Sequence, residues 1–275
     1  MDQHFVPRFY LDAWVDPALP TSMNRELWRV DLHYRNVRRA SPRSVGYDPD
    51  HNEYRDKLRG TRPLEDAYKF HEDAAVPVLQ AIGAGCGILN DHQLEALMRF
   101  LALQVSRTPI GREYMEQYLR SLGVSPTRDD VLDACYERPL GPFTQHLMTS
   151  KWSCRIAREE MFVTCDHPAI ITREQDVRRF EHHLIFPVTP AVLLLGCLTP
   201  IHCRERHAVH HVDDDILNRT VMACARRQVY ANSREQAEYA LSVATQLKSE
   251  EHNRLLSLLR TRIGLTHASR LPTRD

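Results

Sequence analysis

The sequence predicts an α+β fold, because its hydrophobic pattern changes from helical to strand-like near residue 150. Before that point, apolar residues recur with helical spacing, whereas short runs rich in Val, Ile and Leu follow, separated by turn residues. Helices that precede a group of antiparallel strands are typical of the α+β class. We therefore expect an N-terminal β-hairpin, a central helical bundle, an antiparallel β-sheet in the second half and C-terminal helices.

The first half of the chain is expected to contain one hairpin and a series of helices. Alternating apolar and polar residues over 26–40 predict the β-hairpin. Helical spacing predicts a helix over 64–82 and a second one that Asn90 or Asp91 can cap and that Pro109 ends or kinks. The further helices expected in this half run over 109–122 and from about 125 onward.

The second half is expected to contain most of the strands and the last helices. Short β-type runs at 152–156, 161–164, 169–171, 184–186 and 192–195 are bounded by turn residues, which favours an antiparallel sheet. The pattern after residue 212 returns to helical spacing. The elements expected there are a helix that begins at 213–215, a strand at 228–231, and helices over 233–247 and 252–259.

The composition is that of a chain with a substantial core and no global charge. Of its 275 residues, 43% are hydrophobic, and 36 Lys and Arg residues balance 36 Asp and Glu residues. A balanced charge gives no long-range attraction to duplex DNA or to an anionic membrane, although it leaves room for a local basic groove. We expect a single α+β domain over residues 1–270 and a loose tail over 271–275.

Cysteine usage and the apolar runs predict the compartment. The seven cysteines contain no CxxC pair, and the first residues lack the basic and apolar regions of a signal peptide. No run approaches the roughly 18 apolar residues of a membrane span. We therefore expect reduced cysteines in a cytoplasmic protein that is not membrane-bound.

Two polar residues stand out near the end of the second helix. Gln104 and Arg107 are three residues apart, so they share a helix face. Arg107 either serves a site or hydrogen-bonds the last carbonyls of its own helix. The aromatic opening segment, Gln3 to Leu11, is expected to pack into the body, which would leave His4 partly buried and in need of a partner.

Several segments, in order along the chain, resemble those of the DUF4238 family. Gln3 to Leu11 is similar to the family's QHxVPxxYL opening, and Phe100 to Pro109 to its F-(I/L)-x-x-Q-x-x-R-T-P segment. Thr164 to Pro168 resembles its S-D-(N/H)-P turn, with Cys165 in place of Ser and His167 in place of the common Asn. Weaker similarities lie at Trp28–Ser41 with Tyr54, Glu72–Pro77, Phe186–Pro190 and Asn218–Asn232. The resemblance implies an intracellular, mostly bacterial protein and names no reaction.

Five polar residues from separate elements are candidates for one site: His4, Glu72, Gln104, Arg107 and Asp166. If they converge, they suit a hydrolase or group-transfer enzyme, with His4, Glu72 and Asp166 as catalytic residues. His4 or Glu72 would be the general acid or base, and Asp166 would orient the histidine or the substrate. Arg107 would bind a phosphate or carboxylate with its planar fork, and Gln104 would orient the substrate.

His167 and Asn218 are further candidates for substrate binding. The neutral net charge favours a phosphorylated or nucleotide-like small molecule or a short nucleotide over duplex DNA. The sequence contains no Walker loop, dinucleotide fingerprint or GxSxG segment, so it indicates no particular cofactor. It also leaves the oligomeric state open.

Two alternatives remain at this stage. In one, a metal-dependent enzyme binds Zn or Fe through His4, Glu72 and Asp166, although the HExxH pattern of many zinc enzymes is absent. In the other, the polar residues form a structural network in a non-catalytic sensor or binding protein. We expect Arg107→Ala to abolish activity or ligand binding and to leave the melting temperature nearly unchanged. A large loss of stability would instead support the structural network.

Overall fold

The helices and strands follow the predicted order along the chain. The computed structural model describes residues 2–19, 25–49, 51–54, 63–85, 89–176, 179–198 and 214–247. These ranges contain an N-terminal hairpin, a group of central helices, antiparallel sheets and helices near the C-terminus, which confirms the α+β class. The helix expected over 252–259 and the tail expected over 271–275 lie outside the described residues.

The N-terminal segment packs into the body, as predicted. Strand β1 (Asp2–His4) pairs with β4 (Tyr47–Pro49) in an antiparallel two-stranded sheet. Helix α1 (Arg8–Leu11) and a 3₁₀ turn follow, and both Leu11 and Trp14 are fully buried. The first residues of the chain are therefore part of the core and can position functional groups.

The predicted hairpin belongs to a larger sheet. Strands β2 (Leu27–Asp31) and β3 (Asn36–Ala40) pair with each other, and β2 also pairs with β10 (Gln228–Ala231). The two-residue strand β6 (Thr164–Cys165) completes the order β3-β2-β10-β6. The β-type run expected at 161–164 thus contributes Thr164 to the hairpin sheet and not to the sheet formed by the other strands of the second half.

The remaining strands form the predicted antiparallel sheet. Its order is β5 (Lys151–Ile156), β9 (Val192–Cys197), β8 (Arg179–Thr189) and β7 (Ile170–Asp176). All six residues of β9 are buried, as expected of a central strand. The Tyr10 hydroxyl links the two four-stranded sheets, because it is hydrogen-bonded to the Thr164 hydroxyl and donates to the Pro187 carbonyl, both at 2.6 Å.

The helices cover most of the middle of the chain and flank β10. Those in the middle are α2 (Pro63–Gly83), α3 (Asp91–Arg107), α4 (Pro109–Ser121), α5 (Arg128–Arg138) and α6 (Thr144–Thr149). The last two described helices are α7 (Asp214–Cys224) and α8 (Arg234–Leu247). Helix α6 was not predicted from the sequence. Among the described helices, none is both long and apolar enough to cross a lipid bilayer.

A sharp junction between α3 and α4 fixes the end of α3. Asn90 and Gln93 form a capping box at the start of α3. Thr108 ends α3 and also caps α4, since its hydroxyl accepts a hydrogen bond from the Gly111 backbone N–H at 3.2 Å. A Cβ atom at Gly111 would lie only 2.2 Å from the Val105 carbonyl oxygen, so the junction requires glycine there.

The sequence suggested that the cysteines are reduced, and the structure differs from this expectation at one of them. Cys135, Cys154, Cys165 and Cys224 are free thiols, whereas Cys197 is disulfide-bonded. The expectation of reduced cysteines is therefore wrong for Cys197.

Gly111→Ala should destabilise the fold, because the added methyl group would collide with backbone atoms of α3 that cannot move independently. We expect urea unfolding to show a loss of about 1–3 kcal/mol, the usual cost of overpacking. Gln117→Ala, at an exposed position of the same helix, is the control and should leave the midpoint nearly unchanged. Equal midpoints for wild type and Gly111→Ala would contradict the close approach of the two helices.

Candidate functional site

The centre of the candidate site is the buried guanidinium of Arg107, the last residue of α3. One terminal nitrogen donates to the Glu72 carboxylate of α2, and the other donates to the His4 backbone carbonyl of β1. The guanidinium carbon lies 4.6 Å from the centre of the Tyr68 ring. Only 2% of the Arg107 side chain is exposed, against 20% for Glu72. The pair thus joins three separate elements, with the guanidinium itself out of contact with bulk water.

In this structure the Arg107 guanidinium is held by acceptors of the protein itself. Each terminal nitrogen donates one of its two N–H bonds to a protein acceptor, and the buried Nε has no hydrogen-bond partner among the described residues. A buried charge of this kind must be paired, because removal from water costs several kcal/mol per ion. Arg107 therefore serves first to hold Glu72 and the strand that carries His4.

His4 is half-buried beside this pair, and one of its ring nitrogens has no hydrogen-bond partner among the described residues. Desolvation by burial, and to a smaller extent the Arg107 charge, lowers its pKa, while contacts with the backbone of Arg43 and Pro42 act in the opposite direction. Its Nε2 atom is buried and has no hydrogen-bond partner among the described residues. A neutral imidazole with an unshared lone pair is suited to accept a proton at neutral pH.

Two further buried polar groups near Arg107 also lack partners. Gln104, one helical turn before Arg107, is 0% exposed, and neither atom of its amide has a partner in the described part of the chain. The Tyr68 hydroxyl is in the same situation. Since leaving a buried polar group unsatisfied costs about 1–3 kcal/mol, such groups in native proteins need an explanation. Their hydrogen-bonding capacity suits a small polar ligand.

The segment 51–54 borders the centre and was missed by the sequence analysis. The His51 Nε2–H donates to the Arg107 carbonyl at 2.8 Å, and burial lowers the pKa of His51 to about 3. Asn52 donates through its backbone to the Gln3 side chain and through its amide to Glu65. This loop has no periodic pattern of hydrophobic residues that would predict an element. The adjacent His51 and Asn52 were the signal in the sequence that could have pointed to a functional role.

Arg112 adds a positive charge that no carboxylate of the described ranges balances by an ion pair. Its terminal nitrogens donate to the His51 carbonyl and to the Asn52 side-chain oxygen, both neutral acceptors. Burial lowers the pKa of Arg112 to about 10, so it remains cationic at neutral pH. A charged group with only neutral partners creates a positive potential around it.

A cleft of about 290 Å³ lies between α4 and α5 beside Arg112. Arg112 and Arg128 line it, and so does Thr127, the N-cap residue of α5. Two carboxylates also face it, but Glu113 pairs with Arg226 and Glu116 pairs with Arg120. Guanidinium groups and a helix N-terminus together favour an anion.

Asp166 forms its hydrogen bonds with the backbone of 226–228 and not with the residues of the Arg107 centre. Its carboxylate accepts backbone N–H bonds from Arg226 at 2.8 Å, Arg227 at 2.7 Å and Gln228 at 3.1 Å. Burial raises its pKa to about 6 although these bonds favour the ionised form. The carboxylate therefore ties the turn after β6 to the start of β10 and has no described bond to His4, Glu72 or Arg107.

The two predicted binding residues also have structural partners. The imidazole Nδ1 of His167 is hydrogen-bonded to the Thr108 hydroxyl at 2.6 Å, which places this turn against the residue after Arg107. Burial lowers the pKa of His167 to about 4. The Asn218 amide accepts from the Val163 N–H at 3.1 Å and donates to the Met161 carbonyl at 2.8 Å. Asn218 thus ties α7 to a loop and lies outside the centre.

The metal alternative fails for the residues on which it was based. No group of three or more His, Cys, Asp or Glu side chains that could hold a metal ion occurs within the described ranges. His4, Glu72 and Asp166 all lie in these ranges and form no such group. The hypothesis that these three are the ligands of a Zn or Fe ion is therefore wrong.

Comparison with family models supports the resemblance found in the sequence. A model described as "Protein of unknown function (DUF4238)" matches residues 2–235. The chain belongs to the DUF4238 family. Comparison with curated proteins and with solved structures finds no match.

The segments that resemble other DUF4238 members coincide with the Arg107 centre. The opening segment supplies His4, and the α3 segment supplies both Gln104 and Arg107. The two departures from the family pattern lie in the neighbouring turn, where the Cys165 thiol donates to the His167 carbonyl at 3.2 Å. Neither departure changes a described contact of Arg107 with Glu72 or His4.

Arg107→Met should strongly destabilise the protein. This differs from the sequence-based expectation that replacing Arg107 leaves the melting temperature nearly unchanged. The change leaves Glu72 without its buried partner, a loss that typically costs about 3–5 kcal/mol. Arg120→Met, which removes the exposed Arg120–Glu116 pair, should cost less than about 1 kcal/mol. Chemical unfolding measures both changes. Similar small losses would show that the Arg107 pair does not hold the fold together.

His167→Asn should make stability less sensitive to acid. His167 titrates at about 4 when folded and near its ordinary 6.5 when unfolded, so its contribution is complete above pH 6.5 and is lost as the pH falls toward 4. This shift corresponds to about 3 kcal/mol. Asp166, with a raised folded pKa of about 6, acts in the opposite direction below that pH.

Urea midpoints at pH 7.5 and pH 5.0 test this expectation. The drop in midpoint between the two pH values should be smaller for His167→Asn than for wild type, because Asn retains a hydrogen-bonding group for Thr108 and cannot gain the proton. His92→Asn on the surface of α3 is the control. An identical drop in both variants would show that His167 is not a buried neutral imidazole.

Proposed function

We propose that this DUF4238 protein is a hydrolase or group-transfer enzyme that acts on a phosphorylated or nucleotide-like small substrate, with His4 as the general base. The observation that carries the proposal is the buried Nε2 atom of His4, which has no hydrogen-bond partner among the described residues, on an imidazole whose pKa is lowered. A base must be unprotonated at the working pH to accept a proton, and burial favours that state in His4.

The proposed reaction is displacement at phosphorus. The oxygen of a water molecule or substrate hydroxyl forms a bond to phosphorus while the bond from phosphorus to the leaving oxygen breaks. The proton of the nucleophile passes to His4 Nε2 and then to the leaving oxygen. Gln104 would orient the substrate through its unused amide, whereas Arg107 and Glu72 are positioning residues that hold the His4 strand.

The positive charge around residues 51–52 supports an anionic substrate. Arg112 has only neutral hydrogen-bond acceptors, and together with Arg128 it lines the cleft beside α5. Such a potential attracts phosphate groups and stabilises negative charge that develops during transfer. In this arrangement Asp166 and His167 fix the turn that packs on Thr108 and take no part in the reaction.

A second candidate function is a non-catalytic binding protein in which the Arg107 network only rigidifies the fold. The two protein acceptors of Arg107 and its 2% exposure favour this alternative, because little of the guanidinium is accessible to a ligand. The two candidates differ in whether His4 is needed for turnover. Both predict binding of an anionic ligand near Arg112.

His4→Gln should abolish turnover with little change in substrate binding. We would screen p-nitrophenyl phosphate, bis(p-nitrophenyl) phosphate and nucleoside monophosphates for hydrolysis or phosphoryl transfer. The variant should lower kcat about 10²–10⁴-fold, the usual contribution of a general base. His92→Gln, with an exposed histidine, is the matched control and should retain the wild-type rate.

The pH profile and the binding assay separate the outcomes. Because the pKa of His4 is lowered, wild-type kcat/KM should remain high somewhat below pH 6.5 and fall only at lower pH. Unchanged kcat in His4→Gln would exclude His4 as the base. If the folded wild type binds these ligands without turnover, the binding-protein alternative replaces the enzyme.

A further inference from the structure

The β2–β3 hairpin is strongly basic although the whole chain is neutral. Residues 25–43 contain six arginines and two acidic residues, Glu26 and Asp31, which leaves a formal charge of +4 in a chain with zero net charge. Asp31 is buried, and its carboxylate accepts the His33 and Tyr34 backbone N–H groups at 3.0 Å. The arginine-rich hairpin therefore presents mainly positive charge to solvent.

Its arginines lack acidic partners. The side chains of Arg35, Arg38, Arg39 and Arg43 are exposed, and no carboxylate in the described part of the chain forms an ion pair with any of them. Arg120 and Arg219, by contrast, each pair with an acidic residue one helical turn away. Within the described residues, the hairpin thus brings four exposed arginines without ion pairs into one short stretch.

The strand register brings like charges together. Arg29 of β2 lies directly opposite Arg38 of the edge strand β3, and like charges in this relation destabilise a sheet. The buried Nε of Arg29 has no partner among the described residues. A polyanion laid along β3 would relieve this repulsion and supply acceptors.

Aromatic rings alternate with these arginines. Tyr34, at the turn of the hairpin, is 69% exposed, and its ring meets that of His33 edge-on at 4.8 Å. On the other face of the hairpin, the guanidinium carbons of Arg39 and Arg234 lie 5.0 Å and 6.0 Å from the Trp28 ring centre. Exposed rings and guanidinium planes are the surfaces on which unpaired bases stack.

We propose that the arginine-rich hairpin binds single-stranded nucleic acid, with phosphates on Arg38 and Arg43 and a base stacked on Tyr34. The aromatic groups favour a single strand over an anionic membrane, because arginine charge alone would serve a membrane equally well. This binding goes beyond the proposed catalysis and does not depend on it. The C-terminal end of the hairpin nevertheless lies beside His4, the proposed general base, since the backbone of Pro42 and Arg43 interacts with His4.

The test is fluorescence anisotropy of the full-length protein with a fluorescein-labelled dodecauridylate at several salt concentrations. Arg38→Gln/Arg43→Gln should weaken binding about tenfold or more near 0.1 M salt and reduce the slope of log K against log salt by about 0.7 for each arginine. Tyr34→Ala should weaken binding about fivefold or more with an unchanged slope, since it removes only stacking.

The matched control is Arg120→Gln/Arg219→Gln, which makes the same change in net charge at ion-paired positions and should leave affinity nearly unchanged. Circular dichroism and the melting temperature establish that each variant is folded. Equal weakening by both double variants would overturn the proposal, because binding would then reflect net charge alone.

Three other outcomes also overturn it. Stronger binding to a 12-base-pair duplex than to the single strand would contradict the role of exposed bases. Binding to phosphatidylserine vesicles without binding to RNA would assign the hairpin to membranes. Aggregation of Arg38→Gln/Arg43→Gln with unchanged RNA affinity would show that the arginines only protect the edge strand. Activity at His4 plays no part in these readouts, so the two proposals fail separately.

Discussion

The pairing of Arg107 with Glu72 inside the protein is the interaction on which the surrounding structure depends. A guanidinium that is 2% exposed cannot remain charged without partners, so α2 must present its carboxylate and β1 its last carbonyl at the same place. The backbone carbonyl of Arg107 then accepts a hydrogen bond from His51, and the Thr108 hydroxyl is hydrogen-bonded to His167. One buried charge thereby fixes the relation between the N-terminal strand, two helices and two loops.

This arrangement separates the groups that hold the site from the groups that remain available for chemistry. Arg107 and Glu72 are used by each other, whereas His4 Nε2, the Gln104 amide and the Tyr68 hydroxyl have unused hydrogen-bonding capacity in the described residues. Rigid support around a few unsatisfied polar groups is what precise binding of a small ligand requires. A network that served stability alone would satisfy its own members, as the Asn218 amide does.

The sequence predicted the elements whose information is local, and it failed where distant contacts decide. The hairpin, α2 and α3 follow from hydrophobic period and capping residues. The pairing of the two-residue strand β6 with β10 has no local signal, because more than 60 residues separate Thr164 and Tyr230. Likewise, residue types alone identified Arg107, but they could not show that it donates to Glu72 and the His4 carbonyl or that Asp166 binds the backbone of 226–228.

Net charge told little about where this protein can bind anions, because its positive charges are neutralised by nearby acidic groups in some places and not in others. The zero total conceals one arginine that is neutralised by Glu72, another at position 112 with only neutral acceptors, and a hairpin with a formal charge of +4. Electrostatic attraction acts over roughly 10 Å at moderate salt, so an approaching anion responds to the nearest uncompensated groups and not to the total. Neutrality of the chain is therefore compatible with a local polyanion surface that ends beside His4.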